Sequence, residues 1–141
     1  MKKISWISGL VILVSAIGCA QVTLKPDVTL ENTYWKLVEL NGAAVVPGEG
    51  RELHMILRGD DQVGGYAGCN RFTGSVTVTG DGLSFGPIAS TRRMCQAVME
   101  QEDGFLQALE DAQRFRISGE DLAIENAAGD ITMRFVAVYM Q

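Results

Sequence analysis

The sequence predicts an α+β domain, in which a curved antiparallel sheet or partial β-barrel of about seven or eight strands carries one packed helix. Short apolar runs that end at glycine-containing turns follow one another from Leu30 onward, and the pattern returns after Ala112. Between the two groups of runs, apolar residues recur at helical intervals. Strands before and after a single helix, joined by short turns, are typical of this fold class.

The strand predictions rest on alternation and on turn residues. The run "TYWKLVEL" ends at Asn41-Gly42, a dipeptide that favours a hairpin turn. Later in the chain, Phe115 and Ile117 alternate with arginines, and "DLAIEN" repeats the pattern. A period of two predicts strands with one buried and one exposed face.

The single helix is predicted between Gln96 and Ala112. Its apolar stripe consists of Val98, Phe105, Leu109 and Ala112, and Leu106 widens it. The acidic residues of its N-terminal half suit the positive end of the helix dipole, and they are Glu100, Glu102 and Asp103. Gly104 lowers the intrinsic helix stability, so the helix requires tertiary contacts.

Residues 1–18 have the organisation of a secretory signal peptide. Lys2 and Lys3 precede a mostly apolar run, and small residues follow it before Cys19. The run is shorter than the roughly 20 apolar residues that a membrane-spanning helix requires. We therefore expect export rather than a transmembrane segment.

The end of this segment, "SAIGC", resembles the lipobox of bacterial lipoproteins. The resemblance implies lipidation of Cys19, with residues 19–29 as lipidated N-terminus and tether and residues 30–141 as the folded domain. Ala20 resembles the sorting pattern for the outer membrane. The expected location is the periplasm, with the membrane as a partner through the lipid, or secretion if Cys19 is not lipidated.

Charge and composition exclude several partner classes. The formal net charge of −5 disfavours nucleic acid, which rewards clustered lysine and arginine. We expect a monomer without a cofactor. Zinc sites commonly have closely spaced cysteine or histidine pairs, which the chain lacks, so no metal site is predicted.

The three cysteines allow more than one interpretation. If Cys19 carries lipid, Cys69 and Cys95 remain, and an even pair in an oxidising compartment is most often a disulfide. Alternatively, Cys69 could act as a nucleophile with His54 as its base, oriented by Asn70 or a carboxylate. The disulfide is the favoured interpretation, and the thiol-dependent enzyme is kept as the alternative.

Three stretches together resemble the META/HslJ domain family of small secreted or lipid-anchored bacterial domains. They are "LENTYWKLVELNG", "GYAGCNRFTGSV" and "STRRMC". The resemblance implies a mixed antiparallel sheet with a helix. It also implies links to heat induction and antibiotic tolerance, with no established enzymatic reaction or cofactor.

One polar cluster near the cysteines is a candidate contact site for an anion or an envelope protein. It consists of Asn70, Arg71, Arg92 and Arg93. The sequence thus predicts a membrane-anchored periplasmic lipoprotein with a binding or structural role in envelope stress or drug tolerance, and no catalysis. A carrier of a small apolar ligand within the partial barrel is a further alternative.

Overall fold

The computed structural model describes residues 27–139. Within them the chain forms ten strands and one helix. In order, these are β1 Tyr34–Leu40, β2 Ala43–Ala44, β3 His54–Arg58, β4 Gln62–Tyr66, β5 Arg71–Thr79, β6 Gly82–Phe85, β7 Ala89–Ser90, α1 Met99–Glu110, β8 Ala112–Ser118, β9 Asp121–Asn126 and β10 Ile131–Val138. The predicted α+β class is confirmed.

The sheet closes into an eight-stranded antiparallel barrel. The strand order is β1-β3-β4-β5-β6-β8-β9-β10, and β10 pairs again with β1. This last pairing runs from Tyr34 opposite Val138 to Leu40 opposite Met133, with one irregularity on the way. Strand β2 extends the end of β1, and β7 adds to β5. The closure removes the exposed sheet edges that an open sheet would leave.

The barrel interior is a packed apolar core. Alternate residues of each strand point inward, as the period of two in the sequence predicts. The fully buried side chains include Trp35, Leu37, Met55, Leu57, Val63, Leu122, Ile124, Met133 and Phe135. The Trp35 indole N–H donates to the Leu30 carbonyl oxygen at 2.8 Å, so its polar atom is satisfied.

Helix α1 closes one end of this barrel. The buried Phe105 ring contacts Phe72 of β5 and Phe135 of β10, with ring centroids 5.7 Å and 6.2 Å away. Because β5 and β10 lie on opposite sides of the barrel, the helix packs across its end rather than along one face. Gly104 of the helix faces Leu40 of β1, and a Cβ at this position would make an ordinary contact with Leu40 Cδ2 at 3.5 Å. The helix is too short to cross a membrane.

The chain enters the barrel at the end opposite α1. Strand β8 begins directly after the helix, and Gly119 follows its far end. The Val28 N–H donates to the Gly119 carbonyl at 3.0 Å, and the Gly119 N–H donates to Asp27 Oδ1 at 2.5 Å. The last residues of the expected tether are thus bonded to the barrel. The expected signal peptide and Cys19 lie outside the described residues.

Candidate functional site

A disulfide joins the segment after β4 to the segment before α1. Cys69 and Cys95 are bonded, with Cα atoms 5.8 Å apart, and Cys69 is buried. This is the pairing that the sequence predicts. The bridge ties the connection between two barrel strands to the chain that leads into the helix.

Beside the disulfide, a buried carboxylate from α1 binds the backbone of the same segment. Glu102 is 2% exposed, and its Oε2 accepts the N–H groups of Cys69 and Asn70, both at 2.7 Å. Its Oε1 accepts the Asn70 side-chain amide at 2.6 Å. A buried carboxylate is tolerable only when donors surround it in this way.

Asn70 completes this internal network. Its Oδ1 accepts the Arg93 N–H at 2.6 Å and the Thr91 hydroxyl at 2.9 Å. Its Nδ2 also donates to the Arg93 carbonyl at 3.0 Å, and the residue is 2% exposed. Asn70 therefore holds the cysteine segment together, and its polar atoms are already committed to internal partners.

Glu102 is not among the site residues predicted from the sequence, where it is one of several acids near the start of a helix. The missed signal is position: Glu102 falls on the apolar stripe, four residues after Val98 and three before Phe105. A carboxylate on the buried face of a helix requires donors from the opposing element.

The structure keeps His54 and the Cys69 sulfur in different environments. The His54 ring lies on the outer face of β3, where it stacks on Tyr34 with ring centroids 4.3 Å apart. Its Nδ1 lies 3.2 Å from the Glu52 carbonyl oxygen. Cys69 is buried and bonded to Cys95, so while the bridge is intact no thiolate is present for His54 to activate.

The predicted arginine cluster spans two neighbouring segments, which are joined by the hydrogen bond from the Thr91 N–H to the Arg71 carbonyl oxygen at 3.0 Å. Arg93 Nη2 lies 3.0 Å from both carboxylate oxygens of Glu49. Arg92 is exposed next to it. Arg71 belongs to β5, and its side chain lines a groove on the outside of the barrel. That groove is the second candidate site.

We call this feature the arginine groove. It lies across the outer face of β3, β4 and β5 and has a volume of about 570 Å³, within the size range of small-molecule sites. Its lining includes Tyr34, Glu52, His54, Ile56, Gly64, Tyr66 and Thr73, together with Arg51, Arg58 and Arg71. These residues come from distant parts of the chain, and the strand register brings them together.

A glycine forms the floor of the groove. In β4, Val63 is fully buried and points inward, so its neighbour Gly64 faces outward. Gly64 lies between Ile56 of β3 and Thr73 of β5 in the paired register. Because this central position has no side chain, the surface is recessed there.

The two stacked rings at one side of the groove are held in their neutral forms. Burial lowers the pKa of His54, and the nearby charge of Arg71 adds to that lowering, whereas Glu52 opposes it. Burial also raises the pKa of Tyr34, and Glu52 raises it further. Both rings therefore present uncharged surfaces beside the arginines at neutral pH.

The interior of the barrel offers little support for an apolar carrier. Trp35, Phe105 and Phe135 fill it and are 0%, 0% and 1% exposed. The described residues also contain no cluster of three or more histidine, cysteine or acidic side chains that could hold a metal ion.

Family models provide the first comparison with known proteins. The model of the META domain matches residues 28–139, which includes every strand and the helix described above. No curated protein sequence matches the chain significantly.

Solved structures show the same fold. An NMR structure of a protein from Burkholderia xenovorans superimposes with a TM-score of 0.64 at 25% identity, covering 79% of this chain and 85% of that one. A second NMR structure has a TM-score of 0.62 at 20% identity, covering 77% of this chain and 94% of the other. Both support the fold described above.

Proposed function

The chain belongs to the META domain family, and from this premise we propose that it is a non-catalytic binding or structural domain of the bacterial envelope. In this proposal a lipid on Cys19 holds it to the periplasmic face of the outer membrane. The barrel is the folded unit, and the lipid is the anchor.

The proposal rests chiefly on which of the cysteines are bonded to each other. The chain has three, and the disulfide takes Cys69 and Cys95. Cys19 is the one that remains, and it directly follows the signal-like segment. A structural disulfide also fits an oxidising compartment outside the cytoplasm.

The place where the first described residues meet the barrel is compatible with a lipid anchor on Cys19. The described chain begins at the end of the barrel opposite α1, where Val28 bonds to Gly119. From Cys19 to Val28 the chain can span at most about 30 Å. The arrangement would present the helix-capped end of the barrel away from the membrane.

The atoms that thiol chemistry would need are engaged in other bonds. The Cys69 sulfur is bonded, and the adjacent Glu102 carboxylate is buried and accepts three internal hydrogen bonds. Neither group is free to attack a substrate or to move a proton. The segment around Cys69 is better explained as scaffolding.

Metabolic labelling tests the anchor. In a Gram-negative host that is fed an alkynyl fatty acid, the wild-type protein should incorporate the label and sediment with outer membranes. Cys19→Ser should lose the label and appear in soluble fractions, whereas the Cys69→Ala/Cys95→Ala variant should keep the label. Labelling of Cys19→Ser, or a soluble wild-type protein, would contradict lipidation at Cys19.

We also propose a role in envelope stress or drug tolerance, which the family resemblance implies. A strain of the native bacterium without this protein should survive heat or antibiotic exposure less well. Wild-type protein should restore survival, and Cys19→Ser should restore it less. Equal survival with and without the protein under both stresses would refute this part of the proposal.

A further inference from the structure

The arginine groove carries cations that the protein itself does not neutralise. Four of the other five arginines in the described part of the chain have carboxylate partners: Arg93 pairs with Glu49, Arg114 and Arg116 with Glu125, and Arg134 with Glu39, while the exposed Arg92 has none. By contrast, Arg51, Arg58 and Arg71 make no ion pair with any residue between 27 and 139. These unpaired guanidinium groups all line one groove of a protein whose formal net charge is −5.

Local contacts place the three guanidinium groups around the recess. The Arg51 guanidinium carbon lies 5.6 Å from the centre of the Tyr66 ring, a cation–π distance. Arg58 Nη2 reaches over the glycine floor, 3.7 Å from the point that a Cβ of Gly64 would occupy. Arg71 of β5 is paired directly with Tyr66 of β4. The positive charge is therefore spread along the groove.

Glu52, the single carboxylate in the lining, offsets the charge of the three arginines only in part. Glu52 Oε2 lies 3.2 Å from Lys36 Nζ, so a lysine outside the groove already pairs with it. Between the cations, Tyr34 and His54 supply a flat, uncharged wall. Such a surface can contact the apolar or planar part of a ligand whose charged groups meet the arginines.

From these observations we infer that the arginine groove binds a small acidic ligand with two anionic groups, phosphates or carboxylates, because its cations come from both ends of the paired β3–β4–β5 segment. Arg58 on β3 takes one group, and Arg71 on β5, helped by Arg51, takes the other. Gly64 adds no side chain to the floor, so the Arg58 guanidinium can extend over it toward the ligand. The inference deepens the binding role proposed above and rests on it, but it does not depend on lipidation.

A discrete ligand fits the charge distribution better than a broad anionic membrane surface. The β3–β4 turn beside Arg58 carries Asp60 and Asp61, both exposed. An extended anionic surface would approach these carboxylates together with the arginines and would be repelled by them. A single headgroup or a soluble anion could enter the groove without that contact.

The test uses full-length protein in phosphatidylcholine nanodiscs, with His54, the one histidine of the chain, isotopically labelled. Tripolyphosphate and the linear dicarboxylate suberate are titrated separately at low salt. A separate arm replaces part of the phosphatidylcholine with cardiolipin, whose headgroup carries two phosphates. We expect a saturable shift of the His54 ring signals with at least one soluble anion, or on adding cardiolipin if the ligand is a lipid headgroup.

Paired variants decide whether the groove is responsible. Arg58→Gln/Arg71→Gln should bind roughly tenfold more weakly or worse, because charge-assisted hydrogen bonds are lost. Arg92→Gln, which changes an exposed arginine outside the groove, should bind like the wild type. The inference fails if no probe shifts His54, or if the double variant, shown to be folded by its spectrum, binds as tightly as the wild type. Labelling and sedimentation of the wild-type protein would then still report on its anchoring separately.

Discussion

At the scale of single residues, Glu102 and Asn70 explain why the segment around Cys69 has a defined conformation. The Glu102 carboxylate occupies a position where an anion could bind to two successive backbone N–H groups. Asn70 then links this site to the strand-like segment at Thr91 and Arg93. A stretch that looks reactive in the sequence is held by internal hydrogen bonds.

Replacing the carboxylate with an amide tests this explanation. In Glu102→Gln, the new NH₂ group must face either the N–H groups of Cys69 and Asn70 or the Asn70 amide, so donors oppose donors. We expect a loss of about 2–3 kcal/mol in the free energy of unfolding, measured by urea denaturation. Glu100→Gln, at an exposed position of the same helix, is the control and should change stability little. Equal stability of the two variants would contradict the network.

His54 should titrate below its usual pKa of 6.5, because burial disfavours the imidazolium form. As pH falls through this range the unfolded chain takes up the proton first, so the unfolding free energy should decline below about pH 6.5. Arg71→Gln should raise the His54 pKa, and Glu52→Gln should lower it further. NMR titration of the ring measures both, and shifts in the opposite directions would refute the electrostatic explanation.

At the scale of elements, strand β4 has two adjacent glycines with different roles. Gly64 faces the groove, where an added Cβ would lie 3.5 Å from the Phe72 carbonyl oxygen. At Gly65 a Cβ would overlap the His54 carbonyl oxygen and lie 2.9 Å from Phe72 Cε1. The second glycine therefore allows β3 and the Phe72 ring to pack closely on β4.

Alanine substitutions should separate the two roles. Gly65→Ala forces backbone displacement and should lower the unfolding free energy by about 2 kcal/mol or more. Gly64→Ala keeps ordinary contacts and should stay within about 1 kcal/mol of the wild type. Thermal and urea unfolding of both variants measures the difference. If Gly65→Ala were more stable than Gly64→Ala, the close packing of β3 and the Phe72 ring on Gly65 would be refuted.

The elements themselves were largely predictable from local patterns. Alternation predicted the strands, and the stripe through Phe105 and Leu109 predicted the helix, because both patterns depend only on nearby residues. The arginine groove was not predicted. Arg51, Arg58 and Arg71 meet through the pairing of β3, β4 and β5, and that register cannot be read from any one strand.

At the scale of the whole molecule, closure of the barrel depends on the pairing of β1 with β10, about one hundred positions apart in the sequence. Apolar alternation indicates that both strands are half-buried, but not that they are neighbours. The Cys69–Cys95 disulfide, predicted from cysteine number and compartment, joins the barrel wall to the segment that leads into its helical cap. The cap and the barrel should therefore unfold together.

Removing the bridge measures its contribution to the whole fold. The cysteines are separated by 26 positions, and closing a loop of that size contributes about 3.5 kcal/mol in the chain-entropy model. Cys69→Ala/Cys95→Ala should lose that amount in urea unfolding while keeping one cooperative transition. Loss of helix signal before the sheet signal would instead show that cap and barrel are separate units.

The most direct test of the central claim, that Cys69 is scaffolding and not a reactive centre, is differential alkylation of the full-length protein. Protein purified without reductant is treated with iodoacetamide while folded, before and after reduction, and its mass is measured. We predict that Cys69 and Cys95 stay unmodified until reductant is added and then both react. Rapid alkylation of Cys69 in the folded, unreduced protein would contradict the claim and would make a thiol reaction the hypothesis to pursue.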